Sequence, residues 1–389
     1  MRLKTIPEDF RVRELLQWNE VPGGAHVVHL LHKEKLSTPE ALAVLVRDAN
    51  VDRGAIAYAG LKDRQAVTDQ YVTIERRAVE LKLANLRVQP VGTTDKPLTS
   101  RMSTGNAFTV VVRDLAPAKA SQLRRSMPSL LKTGFPNYFD DQRFGSVTAD
   151  GKFVAKELVS GRFKEALKLA LTGEYEFDRA DQKEEKRILL AHWGDWPECK
   201  AKLPKGHARS LVTYLCDHPT KFKGAVTRLR PELQGLYLSA YQSELWNRML
   251  TKWLTANFPA DALGVVRQHR GPLPVPNRLP ADVAERWNRL LLPLPSPRLK
   301  PEPAADWLPH LDAVLAEEQL TLKQLKIPGV DRPFFSKGER FACLRPTGMT
   351  AEPGADELNR GKRKVTLRFD LPRGAYATMV VKRLTGSDA

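Results

Sequence analysis

The sequence predicts an α+β chain in which a helical middle is inserted into a split first domain. Three observations predict it. Strand and helix patterns mix over residues 1–150. The middle, 151–339, reads as helical and basic, and 340–389 returns to strand pattern. A chain of 389 residues also fits two domains.

Taken in order, EDFRVRE (8–14) alternates with period two: Phe10, Val12 and Glu14 face one way, Arg11 and Arg13 the other. STPEALAVLVRD (37–48) has Ser37 or Thr38 as N-cap, Pro39 in the first turn and helical apolar spacing behind it. AFTVVVRDL (107–115) reads as a strand and 118–132 as a basic helix. Residues 152–171 and 237–254 are helical; in the second, Leu238, Tyr241, Leu245, Met249 and Trp253 recur at three- and four-residue steps. Ten of the 28 prolines fall in 272–309, which is expected to be an extended surface spacer. VTLRFDLP (365–372) is a strand, with Gly374 as the turn residue behind it.

Composition narrows the function. Apolar residues make up 42% and charged residues 28%, which excludes whole-chain disorder. Three scattered cysteines, Cys199, Cys216 and Cys343, exclude a disulfide scaffold and a CxxC metal site, and fit a reducing, cytoplasmic compartment. MRLKTIPEDF lacks the apolar core of a signal peptide, and no apolar run is long enough to span a membrane. His26, His29 and His32 share a span that reads as a strand face, with no carboxylate or cysteine at ligand spacing, so no metal is expected there. P-loop, HExxH, GxSxG and EF-hand patterns are absent. The formal net charge of +17 points to a polyanion, and nucleic acid is the commonest one. Residues 200–230 concentrate it: Lys200, Lys202, Lys205, Arg209, Lys221, Lys223, Arg228 and Arg230 stand against a single acid, Asp217. Such a stretch suits the RNA backbone, where phosphate contacts set affinity.

YAGLKDRQAVTDQ (58–70) carries the chemistry. Gly60 permits close backbone approach, and Asp63 lies between Lys62 and Arg64, cations that favour an ionised carboxylate able to act as nucleophile or base. Alone, a Lys-Asp-Arg run is a weak signal and is usually a solvated turn. In its full length, Gly60 to Gln70, the segment resembles the GLKDRxAVTxQ signature of the TruD family of RNA pseudouridine synthases. Five other stretches agree in family order: KTIPEDFRVRE (4–14), GNAFTVVVR (105–113), PNYFDDQRFG (136–145), LSAYQSELWN (238–247) and FDLPRGAYATMVVKRL (369–384). Asp140 departs from the pattern, standing where glycine is common, and the middle is poorly matched outside 238–247.

The resemblance implies a pseudouridine synthase core, a mostly antiparallel sheet with flanking helices, split by an inserted TRUD domain. It implies isomerisation of uridine to pseudouridine in RNA, with tRNA and its uridine 13 as first choice, no cofactor, and a monomer. Asp63 matches the catalytic residue. Phe10, Phe139 and Tyr376 match pocket aromatics suited to a flipped base. Asn137 matches a uridine contact, its amide able to donate and accept. Lys4 and Glu14 match supporting positions; a carboxylate on a buried strand face needs a partner, and either Lys4 or a cation near Asp63 could supply it. Arg143 and Gln142 fit a phosphate contact or a fold-holding role. Two rivals stand beside this reading. An idle RNA-binding protein or chaperone on the same fold would be marked by loss of Asp63, which is present. A methyltransferase would need a glycine-rich cofactor loop, which is absent.

Overall fold

The computed structural model describes residues 1–62, 64–176 and 178–386. The chain forms two compact units, Met1–Phe135 with Leu344–Ala389, and Pro136–Cys343. The first crossing falls at Phe135 and not near residue 150, so the PNYFDDQRFG stretch folds with the middle of the chain.

The first unit opens with β1 (Phe10–Leu16), β2 (His26–Glu34), α1 (Thr38–Asp48), β3 (Ile56–Tyr58) and β4 (Val67–Glu75). Next come β5 (Leu81–Lys82), β6 (Leu86–Thr94), β7 (Ser103–Leu115) and α2 (Pro117–Thr133). β8 (Phe135–Pro136) leads into the second unit. That unit holds α3 (Val154–Val159), α4 (Phe163–Thr172), α5 (Ala180–Ala191), α6 (Trp196–Lys202), α7 (His207–Asp217), α8 (Phe222–Val226) and α9 (Pro231–Asn257). It continues with β9 (Leu263–Gln268), β10 (Gly271–Pro276), α10 (Ala281–Arg289), β11 (Leu291–Pro293), α11 (Leu308–Glu317), β12 (Glu339–Phe341) and β13 (Cys343–Leu344). The first unit closes with β14 (Thr347–Ala355), β15 (Arg363–Pro372) and α12 (Ala377–Thr385).

One sheet organises the first unit, in the order β14-β15-β7-β1-β4-β2-β6-β5 with β3 beside β4. Every pair is antiparallel except β1 with β4. The period-two pattern of β1 is realised: Phe10, Val12 and Glu14 are buried, Arg11 and Arg13 exposed. α1 starts where the sequence places it. Ser37 accepts the Glu40 N–H, and Glu40 in return accepts the Ser37 N–H at 2.7 Å. Its Ala41, Leu42 and Leu45 pack on Leu31, Val72, Ile74, Leu86 and Val88 of the sheet. On the other half of the same face α2 packs on β15, and α12 packs on α2. Buried Arg113 ties distant parts of this unit together. Its guanidinium bonds Asp9 (2.8 Å), Asp356 (2.9 Å) and Glu357 (3.0 Å), so the arginine of the GNAFTVVVR motif is a structural clamp.

In the second unit α9 is a buried axis, with Leu238, Tyr241, Leu245, Trp246, Met249, Leu250 and Trp253 all inside. The helical pattern over 152–171 resolves into α3 and α4, broken where Gly161 adopts a φ of +72°. The proline-rich stretch is not a spacer. It holds β10, α10 and β11, and buries Val275, Val283, Trp287 and Leu292. Pro272, Pro274 and Pro276 occupy alternate positions of β10, which pairs only with β9, so the missing N–H groups fall on one side of an edge strand. Composition marked this stretch as extended; the apolar residues between its prolines made it part of a core.

His26, His29 and His32 do lie on one strand, β2, yet they do not form one cluster. His29 is fully buried and neutral: Nδ1 bonds the Val27 carbonyl, and Nε2 accepts the Val79 N–H at 2.9 Å. His32 pairs instead with Asp69 at 2.7 Å. Burial pushes the His29 pKa down to about 4. As pH falls from 6.5 towards 4 the unfolded chain takes up this proton first, and stability drops; above 6.5 and below 4 the contribution is flat. Denaturant titrations should lose up to about 3 kcal/mol across that window, and His29→Gln should lose visibly less. Equal losses in both proteins would assign the acid sensitivity elsewhere.

Candidate active site

A stripe of polar residues crosses the buried, otherwise apolar face of the large sheet. Glu14 of β1 faces Asn106 of β7 in register, and Val12 faces Thr68 of β4. The Glu14 side chain is fully buried. Its Oε1 accepts from Lys62 Nζ at 2.7 Å, and its Oε2 from the Tyr71 N–H at 3.1 Å. The partner of Glu14 is therefore the cation next to Asp63 and not Lys4. The reason lies in the backbone: Lys4 sits in the N-terminal segment with φ +54°, and its ammonium rests 4.3 Å above the Phe10 ring.

Lys62 is held at both ends. Its N–H donates to Thr38 Oγ1 at 2.9 Å, Thr38 donates to Gln70 Oε1 at 2.8 Å, and Gln70 Nε2 donates to the Gly60 carbonyl. This circuit joins the first turn of α1, strand β4 and the loop that leads into residue 63. Leu61, between the two anchored residues, is left 67% exposed. Asp63 itself lies outside the described residues. Gln70 ends the signature motif and was visible in it; Thr38 was legible only as a helix-capping candidate.

Phe10 is a packed aromatic, edge-on to Phe108 at 6.1 Å, and Phe108 packs in turn on Phe369 at 5.7 Å. Gly105 of the GNAF motif is needed because a Cβ there would stand 2.3 Å from the Leu371 carbonyl oxygen. Gly374, at φ +78°, turns the chain after β15, and half-buried Tyr376 caps α12. Two polar atoms on this face are buried without a hydrogen-bond partner among the described residues, Thr68 Oγ1 and Asn106 Oδ1.

In the second unit the structure brings two further motifs together. Asn247 of α9 accepts the Phe139 N–H and donates to the Phe139 carbonyl, both at 2.9 Å. Phe139 is buried edge-on to Trp246 at 5.5 Å, with the Arg340 guanidinium 4.3 Å from its ring. Asn137 is also buried; its Nδ2 donates to the Phe341 carbonyl, and its Oδ1 accepts from Arg340 at 2.5 Å. Gln268 reaches Asp140 Oδ1 at 3.4 Å, accommodating the acid that replaces the common glycine. Arg143 bonds Ser243 at 3.2 Å and lies over Phe139, which favours its fold-holding role, whereas Gln142 is exposed. Arg340, Gln268 and Asn247 carry this packing, and only Asn247 lay in a motif.

The basic stretch spans three helices and their loops. Lys202, Lys205, Lys221 and Lys223 are exposed; Lys200 and Arg209 are half-buried. Lys202 pairs with Glu198 at 3.1 Å, an acid just outside the window read from sequence.

Comparison with known proteins agrees with the motifs. The family described as tRNA pseudouridine synthase D (TruD) matches residues 1–384. The "Probable tRNA pseudouridine synthase D 2" of Methanocaldococcus jannaschii is 30% identical, covering 98% of this chain and 91% of that protein. The tRNA pseudouridine synthase D of Aquifex aeolicus is 29% identical, over 100% of this chain and 99% of its own. A solved structure of a candidate tRNA pseudouridine synthase D from Methanosarcina mazei superposes with a TM-score of 0.74 at 25% identity, covering 98% of this chain and 93% of that one.

The buried pair makes a stability prediction. Removing one partner leaves the other charge unpaired, so Glu14→Leu or Lys62→Met alone should each cost about 3–5 kcal/mol. The double substitution, measured by urea unfolding, should cost clearly less than their sum. Additive losses would show that the two groups do not act as a pair.

Proposed function

The chain belongs to the TruD family of pseudouridine synthases, and on that premise we propose that it isomerises uridine to pseudouridine in tRNA, at uridine 13, with Asp63 as the catalytic carboxylate. The observation that carries this reading is the clamped loop before Asp63. Lys62 is fixed through its side chain by Glu14 and through its backbone by Thr38, on a buried polar stripe that an apolar core does not need. The loop that leads to residue 63 is thus anchored at Lys62 through side chain and backbone, and holding a catalytic group in place removes entropy from the barrier.

The reaction balances within the substrate. The bond from the ribose C1′ to uracil N1 breaks, the base turns, and a bond from C1′ to C5 forms. The C5 hydrogen leaves as a proton, and N1 gains one. The target base must leave its stack to reach the carboxylate. Tyr376, half-buried at the start of α12, and Phe10 beneath the Lys4 ammonium offer aromatic faces, a contact worth about 1–3 kcal/mol per base. Asn137 retains one amide hydrogen beyond its bond to Phe341, which suits a uridine contact. Phe139, buried against Trp246, contributes first by packing. The exposed lysines of 200–223, with half-buried Lys200 and Arg209, would hold phosphates.

The direct test is tritium release from 5-tritiated uridine in unmodified tRNA. Wild type should release it, and Asp63→Asn should not while still binding tRNA; mapping should place the product at position 13. No release by wild type from any RNA pool would leave the idle RNA-binding protein as the better reading. For the basic stretch, replacing Lys205, Lys221 and Lys223 by Ala should weaken tRNA binding at low salt. The log–log salt slope should flatten by about 0.7–0.9 per lost contact. Lys202→Ala, which also frees Glu198, should flatten it less. An unchanged slope in the triple variant would remove this surface from the interface.

A further inference from the structure

We propose that a cavity of the second unit holds a guanosine of the RNA, distinct from the target uridine, with Glu185 accepting from the base edge and Arg230 pairing with a phosphate. The inference rests on the pseudouridine synthase reading and deepens it. The cavity measures about 630 Å³, room enough for one nucleotide. Its floor is apolar: Leu171, Leu189, Leu229 and Tyr237 line it and are buried. Gln142 and Arg143 of the PNYFDDQRFG motif line it as well. The Arg143 guanidinium lies 5.4 Å from the Phe139 ring, so the cavity adjoins the segment that carries Asn137.

The protein satisfies some of the polar groups in this cavity and leaves others open. Asp178 pairs with Lys186 at 2.5 Å, and Asp181 with Arg179 at 2.9 Å. Glu185 of α5 is half-buried, yet it has neither an ion pair nor a hydrogen bond among the described residues. Arg230, which precedes α9, is exposed and has no ion pair among them. His207 Nε2 is buried without a partner among them. Burial and then the Arg230 charge lower the His207 pKa, so the ring is neutral and its buried nitrogen still lacks a hydrogen bond. Open groups of this kind cost free energy and call for an explanation. A carboxylate is filled best by two parallel donors. Of the four RNA bases only guanine offers them, as N1–H beside its 2-amino group. Adenine and cytosine set one amino donor beside an acceptor nitrogen. Uracil flanks N3–H with two carbonyl oxygens, which a carboxylate repels. The apolar floor covers the body of the base, and Arg230 supplies the cation for a phosphate. His207 Nε2 meets a ribose hydroxyl, which donates or accepts as the tautomer requires.

The test uses unmodified tRNA in which inosine replaces one guanosine at a time. Inosine keeps N1–H and lacks the 2-amino group. Affinity is read by filter binding and conversion by tritium release. Wild type should lose roughly 10- to 100-fold in affinity and kcat/KM at one guanosine outside the base-paired stems, the range of a good bidentate base contact. Glu185→Ala, and Glu185→Gln, whose amide matches only one of the two donors, should lose a similar factor on unsubstituted tRNA and ignore inosine at that position. Their melting temperatures should stay level, because Glu185 has no partner to lose. Arg230→Ala should weaken binding of both RNAs alike and still tell them apart. Indifference of wild type to inosine at every unpaired guanosine would overturn the inference. So would inosine sensitivity that persists in folded Glu185→Ala, or a parallel fall of affinity and melting temperature, which marks a structural role. Should both Glu185 variants fail to fold, exposed Arg230 decides: unchanged affinity in Arg230→Ala would overturn the inference, and weaker binding with discrimination intact would support it. Inosine-sensitive binding without any conversion would support the cavity assignment and overturn the pseudouridine synthase reading. No tRNA binding by wild type would overturn both.

Discussion

A carboxylate on the inner face of an apolar sheet has to be neutralised, and Glu14 sets that condition for the first unit. Desolvating it is costly, and two donors answer the cost, the Lys62 ammonium and the Tyr71 N–H. Once Lys62 is drawn down to Glu14, its backbone meets Thr38, and Thr38 and Gln70 close the loop onto Gly60. One buried charge thereby fixes the register between a helix cap, a strand and the loop of the signature motif. The stripe is not satisfied throughout: Thr68 Oγ1 and Asn106 Oδ1 stay buried without a partner among the described residues, the kind of unpaired group that an ordinary core avoids.

The second unit solves a related problem with amides instead of charges. α9 is buried along most of its length, so its polar residues have to bond to something. Gln242 donates to the carbonyls of Pro295 and Ser336, and Asn247 brackets Phe139 from both sides of its backbone. Irregular segments with no ladder of their own are satisfied by side chains of the central helix. That is why NYFDDQRFG and LSAYQSELWN, a hundred residues apart, act as one piece.

Much of this was legible in the sequence. The alternation of β1, the Ser37 cap of α1, the helical period of α9 and the closing strand β15 all depend on local spacing, which a linear reading sees directly. Three features misled it. Proline content suggested a spacer, because composition does not reveal that alternate prolines can share one edge of a hairpin. A count of charges in 200–230 missed Glu198, four residues before Lys202 and so one turn along the same helical face. The first crossing between units falls earlier than the change in pattern, because Phe139 and Asn137 are held by α9 and Arg340 and not by their sequence neighbours.

The sequence by itself determined the family, the strand and helix periods, and the residue types available for chemistry, because each is written in spacing along the chain. It left Glu14 with two possible partners and gave no reason to separate Asn106 from the other residues of its motif. Only the tertiary structure decided that Lys62 holds Glu14, that Asn137 and Phe139 are tied into packing, and that Asn106 keeps a buried acceptor unpaired. The physical reason is common to all three. Hydrogen bonds and ion pairs act over about 3 Å, and which groups come that close across a sheet depends on strand order and register, which no local pattern encodes.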